Sequence, residues 1–144
     1  MIAMKAEVNY VLINILQSLF KKGPSDVSVS IDRIDALLMV RLCVNNHRTA
    51  WMKCVIESDE VILIGDIEHS NENTDYNKGY GSLMMGNLLR YARENGFKSL
   101  YGNLSVVDLD HKDRLHHFYE KFGFTITEYQ EPQGCYYGEI GIRL

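Results

Sequence analysis

The spacing of apolar residues changes near residue 25, and this change constrains the fold more than any other feature of the chain. Between residues 7 and 20 apolar side chains recur every three or four positions, which indicates an amphipathic helix that Gly23-Pro24 ends. Polar turns such as Asn45-Asn46 separate the short β-rich runs that follow. These runs cover residues 27–31, 37–44, 51–56 and 61–67. The pattern predicts consecutive antiparallel strands joined by hairpins.

Two further helices are predicted in the second half of the chain. After the polar residues 69–77, one helix opens at Gly79-Tyr80-Gly81 and ends at Asn95-Gly96. The other ends at Gly123, because glycine commonly follows a helix. Its apolar face consists of Leu115, Phe118, Tyr119 and Phe122.

Three more strands are predicted around these helices. They cover residues 99–106, 124–129 and 136–144, with a turn at residues 131–134. The strand, helix and strand between residues 61 and 106 predict a right-handed crossover, so those two strands should be parallel. We therefore predict an α/β (α+β) fold in a single domain, residues 1–144. It comprises a mixed, mostly antiparallel, twisted sheet of about six to seven strands, flanked by about three helices.

Size and charge narrow the class of protein. A chain of 144 residues can bury a core as one domain without metal or disulfide bridges. Its net charge of −4 argues against nucleic acid or an anionic membrane as partner and favours a cationic small molecule. The three cysteines have no metal-binding or disulfide spacing, so we expect reduced thiols. The apolar segment at residues 8–20 is too short and too polar to cross a membrane, and we expect a cytoplasmic protein.

The segment at residues 76–82 is the first candidate for chemistry. Its glycines allow a ligand to approach the backbone, and the following helix presents free amides and a positive dipole to phosphate oxygens. A tight strand-to-helix turn without a ligand is the alternative. The segment lacks the GxxxxGK(S/T) pattern of loops that bind nucleoside triphosphates. It also lacks the third glycine of a dinucleotide-binding motif, because that position is Met84.

Two motifs in this half of the chain resemble those of the Gcn5-related N-acetyltransferase (GNAT) family. Residues 76–81 are similar to its (Gln/Arg)-x-x-Gly-x-(Gly/Ala) motif, with Tyr76 at the Gln/Arg position. About 40 residues later, residues 118–124 (Phe-Tyr-Glu-Lys-Phe-Gly-Phe) resemble its (Leu/Phe)-Tyr-Glu-Lys-x-Gly-Phe signature. The chain departs from the family at Lys112 and Leu115, where Asn and Ala are frequent.

The resemblance implies an acyltransferase that transfers groups other than aminoacyl groups. Its acyl donor substrate would be acetyl-CoA, its acceptor a primary amine of a small molecule or a protein, and no metal would be needed. The cofactor would contact the fourth strand through the backbone of Ile67, Glu68 and His69. The phosphates would contact the glycine segment, residues Asn77, Lys78, Gly79, Tyr80, Gly81 and Ser82.

The resemblance also implies catalytic residues. Tyr119 matches the position of the acid that protonates the leaving thiolate, although its apolar neighbours also suit a core aromatic. For the base, Asp66 and Glu68 alternate in the fourth strand and would share a face, unless a bulge makes them diverge. We rank Glu68 first because it is nearer the end of the strand, and His69 second because imidazole exchanges protons near neutral pH.

Two clusters of polar residues have simpler interpretations. His116 and His117 point in different directions on a helix, so a metal site with His111 is not favoured. We interpret the acidic residues at 108, 110 and 113 as part of a solvated loop and helix cap. Alternatively, their negative charge attracts a cationic acceptor.

Two alternatives to an enzyme stay open. One is a catalytically silent module of the same fold that binds acyl-CoA, and the other is a protein-interaction module without a cofactor. A homodimer is also possible if the last strand, residues 136–144, is an exposed sheet edge, although such an edge could equally be covered.

Overall fold

The computed structural model describes residues 26–70 and 79–144. The strands are β1 (Val27–Ile34), β2 (Leu37–Val44), β3 (His47–Ile56), β4 (Val61–His69), β5 (Ser99–Ser105), β6 (Thr125–Gln133) and β7 (Tyr136–Arg143). The helices are α1 (Tyr80–Glu94), a 3-10 helix (Val106–His111) and α2 (Lys112–Lys121). The helix predicted at residues 7–20 lies outside the described residues. The described residues therefore contain two of the three predicted α-helices.

All seven strands form one sheet, in the order β1-β2-β3-β4-β5-β7-β6. Strands β1 to β4 are an antiparallel meander, as predicted. Asn45 and Asn46 both have positive φ, a backbone conformation that asparagine tolerates and that matches the twist of a two-residue hairpin. The β4 and β5 strands on either side of α1 are parallel, which confirms the predicted crossover in a mixed sheet.

The last strand differs from the prediction. Strand β7 is not an edge, because it lies between β5 and β6 and pairs antiparallel with both. The dimer contact considered for this strand therefore has no free backbone to pair with, and the edges of the sheet are β1 and β6. The turn before β7 is also shorter than predicted, since Gln133 already pairs with Tyr136 across it.

The core lies between one face of the sheet and the two α-helices. Met84, Met85 and Leu88 of α1 are fully buried, as are Leu38 and Val40 of β2. Burial of each such side chain contributes about 1.5–3 kcal/mol, so this interface holds α1 firmly on the meander. Helix α2 is only half-buried and packs its aromatic residues against the edge of the same core.

The cysteines lie where small apolar residues would also fit. Cys54 is buried, Cys43 is half-buried and Cys135 is exposed, and all three are free thiols. Burial raises the pKa of the Cys54 thiol to about 12, so it stays protonated and unreactive. Within the described ranges, no helix has the length and apolar character needed to cross a bilayer.

A β-bulge interrupts β4 beside the crossover. Met52 pairs with Ile67 and Cys54 pairs with Ile64, so both Gly65 and Asp66 stand opposite the single residue Lys53. Only glycine fits at residue 65, because a Cβ atom there would overlap the Lys53 carbonyl oxygen. The bulge therefore requires Gly65 and changes the direction of the residues that follow it.

Candidate active site

A gap opens between β4 and β5 at the position of this bulge. The two strands pair from Val61 and Ser99 as far as Ile64 and Gly102. Past that point β4 continues to pair with β3, and β5 continues to pair with β7, so each strand follows a different neighbour. The separation leaves room for a ligand between two strands of one sheet.

A cavity of about 700 Å³ occupies this gap. The start of α1 and the length of α2 close it on the side of the helices. Its charged and polar side chains are Asp66, His69, Ser82, Asn103, Ser105, Asp108, His111, Arg114, His117, Tyr119 and Lys121. A volume of this size accommodates an extended small molecule, and both signs of charge are present in its wall.

The glycine segment forms one end of the cavity. Gly79 caps α1 with φ 78°, a left-handed conformation that glycine adopts without strain. A Cβ at residue 81 would lie 3.4 Å from the Phe118 ring and 3.7 Å from Ile67, which are ordinary contacts. A side chain larger than that of alanine would extend into the space between them. The first turn of α1 contains no acidic residue, and its free amide groups suit an anion. Asn77 and Lys78, the other predicted phosphate contacts, lie outside the described residues.

The outer part of β4 sends its side chains to two different faces. Ile67 and His69 line the cavity. Glu68, ranked first as the base, is not among the described residues that line it. Its carboxylate instead accepts a hydrogen bond from Trp51 Nε1 on the neighbouring strand, and the Arg48 guanidinium lies 4.6 Å from the Trp51 ring centroid. Residues paired across strands point to the same face, so Glu68 follows Trp51 away from the cavity.

Asp66 lies in the cavity wall together with Tyr119. The bulge explains why the carboxylates of Asp66 and Glu68 diverge, since an extra residue breaks the alternation that would have placed both on one face. The alternative considered from the sequence, a bulged strand, is therefore the observed one.

Tyr119 is held by aromatic neighbours on α2 and after it. Its ring contacts Phe118 and Phe124 edge to face, at centroid distances of 5.3 and 5.6 Å. Burial raises the pKa of the Tyr119 phenol above its ordinary value, and the negative charges of Asp66 and Asp108 raise it further. The phenol is thus neutral throughout the physiological range and can only donate or accept a hydrogen bond there.

Two features of this cavity fit the long polar and apolar chain of an acyl-CoA. His69 Nδ1 is buried and has no hydrogen-bond partner among the described residues, so a polar group in the gap could satisfy it. At the other end, Gly81 leaves open a space that a side chain larger than that of alanine would reduce. Both features face the same gap in the sheet.

Helix α2 contributes residues that sequence analysis did not assign to the site. Arg114, His117 and Lys121 line the cavity at intervals of three and four residues, the spacing of one helical face. That periodicity is readable in the sequence, although the adjacent apolar face of Leu115 and Phe118 is the stronger pattern.

The other polar residues of α2 point elsewhere. Lys112 forms an ion pair with Glu128 at 2.5 Å, and this hydrogen bond lowers the pKa of the Glu128 carboxyl. His116 Nε2 lies 2.9 Å from the Tyr137 hydroxyl, away from His117 in the cavity. His111 occupies the N-cap of this helix without a side-chain bond, and its ring forms ion pairs with Asp108 and Asp110. Of the predicted acidic residues, Asp113 lies in the first turn of the helix.

Comparisons with known proteins agree with this geometry. Residues 74–124 match the model of the acetyltransferase (GNAT) family. The uncharacterized protein YocC of Bacillus subtilis (strain 168) is 38% identical over 68 residues, which is 47% of this chain and 38% of the length of YocC.

Solved structures with the same fold include two that hold a coenzyme. A GNAT family acetyltransferase from Elizabethkingia anophelis with acetyl-CoA bound superposes with a TM-score of 0.61 and 14% identity, over 82% of this chain and 98% of that one. The PaiA N-acetyltransferase from Thermoplasma acidophilum, in complex with coenzyme A, gives a TM-score of 0.59 and 12% identity, over 76% and 62% of the two chains. Because the sequence identities are this low, the superpositions establish a common fold and nothing finer.

Proposed function

We propose that this chain, which has the GNAT acetyltransferase fold and matches that family's model over residues 74–124, is an acyl-CoA-dependent N-acyltransferase. Acetyl-CoA is the proposed donor and a primary amine the proposed acceptor. The observation that carries the proposal is the cavity between β4 and β5, whose wall contains the start of α1, the outer part of β4 and Tyr119.

The donor would lie along the gap in the sheet. Backbone amides from Gly79 to Ser82 would bind its phosphates, and the backbone of Ile67 and His69 would bind its amide-containing arm. What the donor supplies is a thioester carbonyl that an amine can attack directly. The contribution of the protein is to hold these groups, exclude water and handle two protons.

Tyr119 is proposed to stabilise the leaving sulfur. A thiol ordinarily titrates near pH 8.5 and a phenol near 10, and the raised pKa of Tyr119 widens that difference. Complete proton transfer from the phenol to a thiolate is therefore uphill. Donation of a hydrogen bond to the sulfur as its charge develops fits the neutral phenol better. The sulfur then leaves as a thiolate and takes a proton from solvent, which balances the second proton that the attacking nitrogen loses.

Asp66 is the proposed base for the amine, in place of Glu68. Support comes from the position of Asp66 in the cavity wall and from the bond that commits Glu68 to Trp51. A carboxylate there can accept a proton from an ammonium group and attracts a cationic acceptor before reaction. His69 is the second candidate, since it lies in the same wall.

The acceptor is proposed to be an amine that carries a positive charge in solution. Asp108 adds a second carboxylate to the wall near Tyr119, and the exposed side chain of Val107 stands beside it at the mouth of the cavity. Either a small molecule or an amino group of a protein could present such an amine.

Calorimetric titration with acetyl-CoA and coenzyme A tests the donor, and free-thiol release with a panel of primary amines tests the transfer. Micromolar binding followed by amine-dependent thiol release is expected. Binding without release by any amine, in a protein that retains its fold, would favour the silent acyl-CoA-binding module. No binding of either compound would contradict the proposed function altogether.

A further inference from the structure

The side chain of Lys121, the last residue of α2, reaches across to the first turn of α1. Lys121 Nζ donates a 2.6 Å hydrogen bond to Ser82 Oγ, although the two residues are 39 positions apart in the chain. The ammonium group lies 5.3 Å from the ring centroids of both Phe118 and Phe122. Contact with two aromatic rings restricts a long and otherwise mobile side chain to this position.

The charge of Lys121 has no carboxylate partner within the described part of the chain. Lys112, at the start of the same helix, has by contrast a carboxylate partner in Glu128. The first turn of α1 also contains no acidic residue, so the positive end of that helix and the ammonium group add to each other.

Both Lys121 and Ser82 line the cavity, at the end where Gly79 and Gly81 expose the backbone of α1. The residue that precedes this glycine segment at the motif's Gln/Arg position is Tyr76, which carries no charge. A cation supplied by α2 would therefore provide charge that the segment itself lacks at that position.

We propose that Lys121 binds the pyrophosphate of the acyl donor, acting from the end of α2 together with the amides of α1. The inference rests on the proposed function, because it takes an acyl-CoA to be the ligand of this cavity. An ammonium group that now bonds to a neutral hydroxyl would exchange that partner for a phosphate oxygen, and a charge-assisted bond is the stronger of the two.

The test compares four proteins by calorimetric titration: the unaltered chain, Lys121→Gln, Lys121→Arg and Lys98→Gln. Lys98 is an exposed lysine outside the cavity, so its substitution controls for the loss of one positive charge. Each protein is titrated with coenzyme A and with dephospho-coenzyme A, which keeps the pyrophosphate and lacks the phosphate on the ribose. Thermal unfolding of each variant verifies that the fold is retained.

Lys121→Gln is expected to weaken both ligands about tenfold, the effect of losing one charge-assisted contact near a surface. Lys121→Arg should stay within about threefold of the unaltered protein, and Lys98→Gln within about twofold. The affinity of Lys121→Gln should also fall less steeply with added salt, because one ionic contact is gone.

Three results would overturn the inference in different ways. Unchanged affinity in a folded Lys121→Gln would show that this lysine does not bind the donor, while the proposed function would stand. A loss confined to coenzyme A and absent for dephospho-coenzyme A would assign Lys121 to the ribose phosphate instead. Absence of binding by the unaltered chain would remove the proposed function, and this inference with it.

Discussion

At the scale of single residues, Tyr119 combines packing in the core with a position in the cavity wall. Its ring packs between Phe118 and Phe124, and the residue lines the cavity together with Asp66. Packing of the ring restricts where the hydroxyl can point. The same burial keeps the phenol neutral, so it can donate a hydrogen bond.

Replacement of Tyr119 by Phe removes the donor and keeps the ring. We expect turnover to fall by about tenfold or more, because a donor aimed at developing charge acts mainly in the transition state. The matched control is Tyr129→Phe, whose hydroxyl lies 3.5 Å from Glu139 Oε2 on the far strand pair and outside the cavity. Steady-state thiol release measures both. A Tyr119→Phe rate within about twofold of the unaltered enzyme would contradict the role of this phenol.

The raised pKa of Tyr119 also predicts how stability depends on pH. An unfolded tyrosine loses its proton near pH 10, whereas the folded Tyr119 retains it to higher pH. Its contribution to stability is therefore complete below about pH 10, and above it the free energy of unfolding should fall by about 1.4 kcal/mol for each pH unit up to the folded pKa. Urea unfolding of the unaltered chain and of Tyr119→Phe between about pH 9 and 11 measures this. In Tyr119→Phe the free energy of unfolding should fall less steeply with pH than in the unaltered chain. Equal slopes for the two proteins would contradict the burial of the phenol.

At the scale of secondary structure elements, the start of α1 combines a left-handed cap with a second glycine that faces α2. Gly79 needs its positive φ, whereas a Cβ atom at Gly81 would contact the Phe118 ring and a larger side chain would be crowded there. Gly86 in the same helix needs neither, because a Cβ atom there would meet only open space. The three glycines thus differ in what a substitution would disturb.

Gly81→Leu should abolish binding of acetyl-CoA, because its side chain would fill the end of the cavity. Gly86→Ala is the matched control and should leave the affinity unchanged while it raises the free energy of unfolding by up to about 1 kcal/mol, the difference in helix propensity. Calorimetric titration and urea unfolding of the two variants provide both quantities. Normal affinity in Gly81→Leu would contradict the assignment of this segment to the donor.

Strand β4 illustrates how one irregular position shapes a site. Gly65 permits a bulge, and the bulge turns Asp66 and Glu68 to different faces. The pairing of β4 with β5 ends at Ile64, directly before the bulge. A regular strand would have continued its pairing with β5 and closed the gap. The cavity therefore depends on an element that is both twisted and bulged.

At the scale of the whole molecule, the site lies where the pairing between β4 and β5 stops. Buried side chains of β2, β3 and α1 hold the meander on one side of the gap, and β5 and β7 hold the other. A ligand between them would join the two halves through both helices. Ligand binding should therefore stabilise the folded chain as a whole.

Acetyl-CoA at about a hundred times its dissociation constant should raise the free energy of unfolding by about 2.7 kcal/mol. Thermal unfolding with and without the ligand measures the effect as a shift in Tm. Gly81→Leu provides the control, since a variant that cannot bind should show no shift at the same concentration. An equal shift in both proteins would indicate binding away from the cavity.

The sequence alone predicted the succession of elements and the parallel crossover, since both follow from short-range patterns. Alternation of apolar residues indicates a strand, and a period of three or four indicates a helix, over a few neighbouring residues. Gly79 and Gly81 could be selected from a local glycine motif, whereas Tyr119 was selected by its resemblance to a family signature, since its apolar neighbours alone suit a core aromatic. The structure places all three at one cavity.

Only the tertiary structure decided the order of the strands, the face of Glu68 and the neighbour of Lys121. The insertion of β7 between β5 and β6 depends on pairing between residues far apart in the chain. The orientation of Glu68 depends on a bulge that the alternation of side chains does not reveal, and the contact of Lys121 with Ser82 spans two helices. Local periodicity indicates whether a segment forms a helix or a strand. Long-range packing determines which residues a side chain contacts and which face of the sheet it lies on.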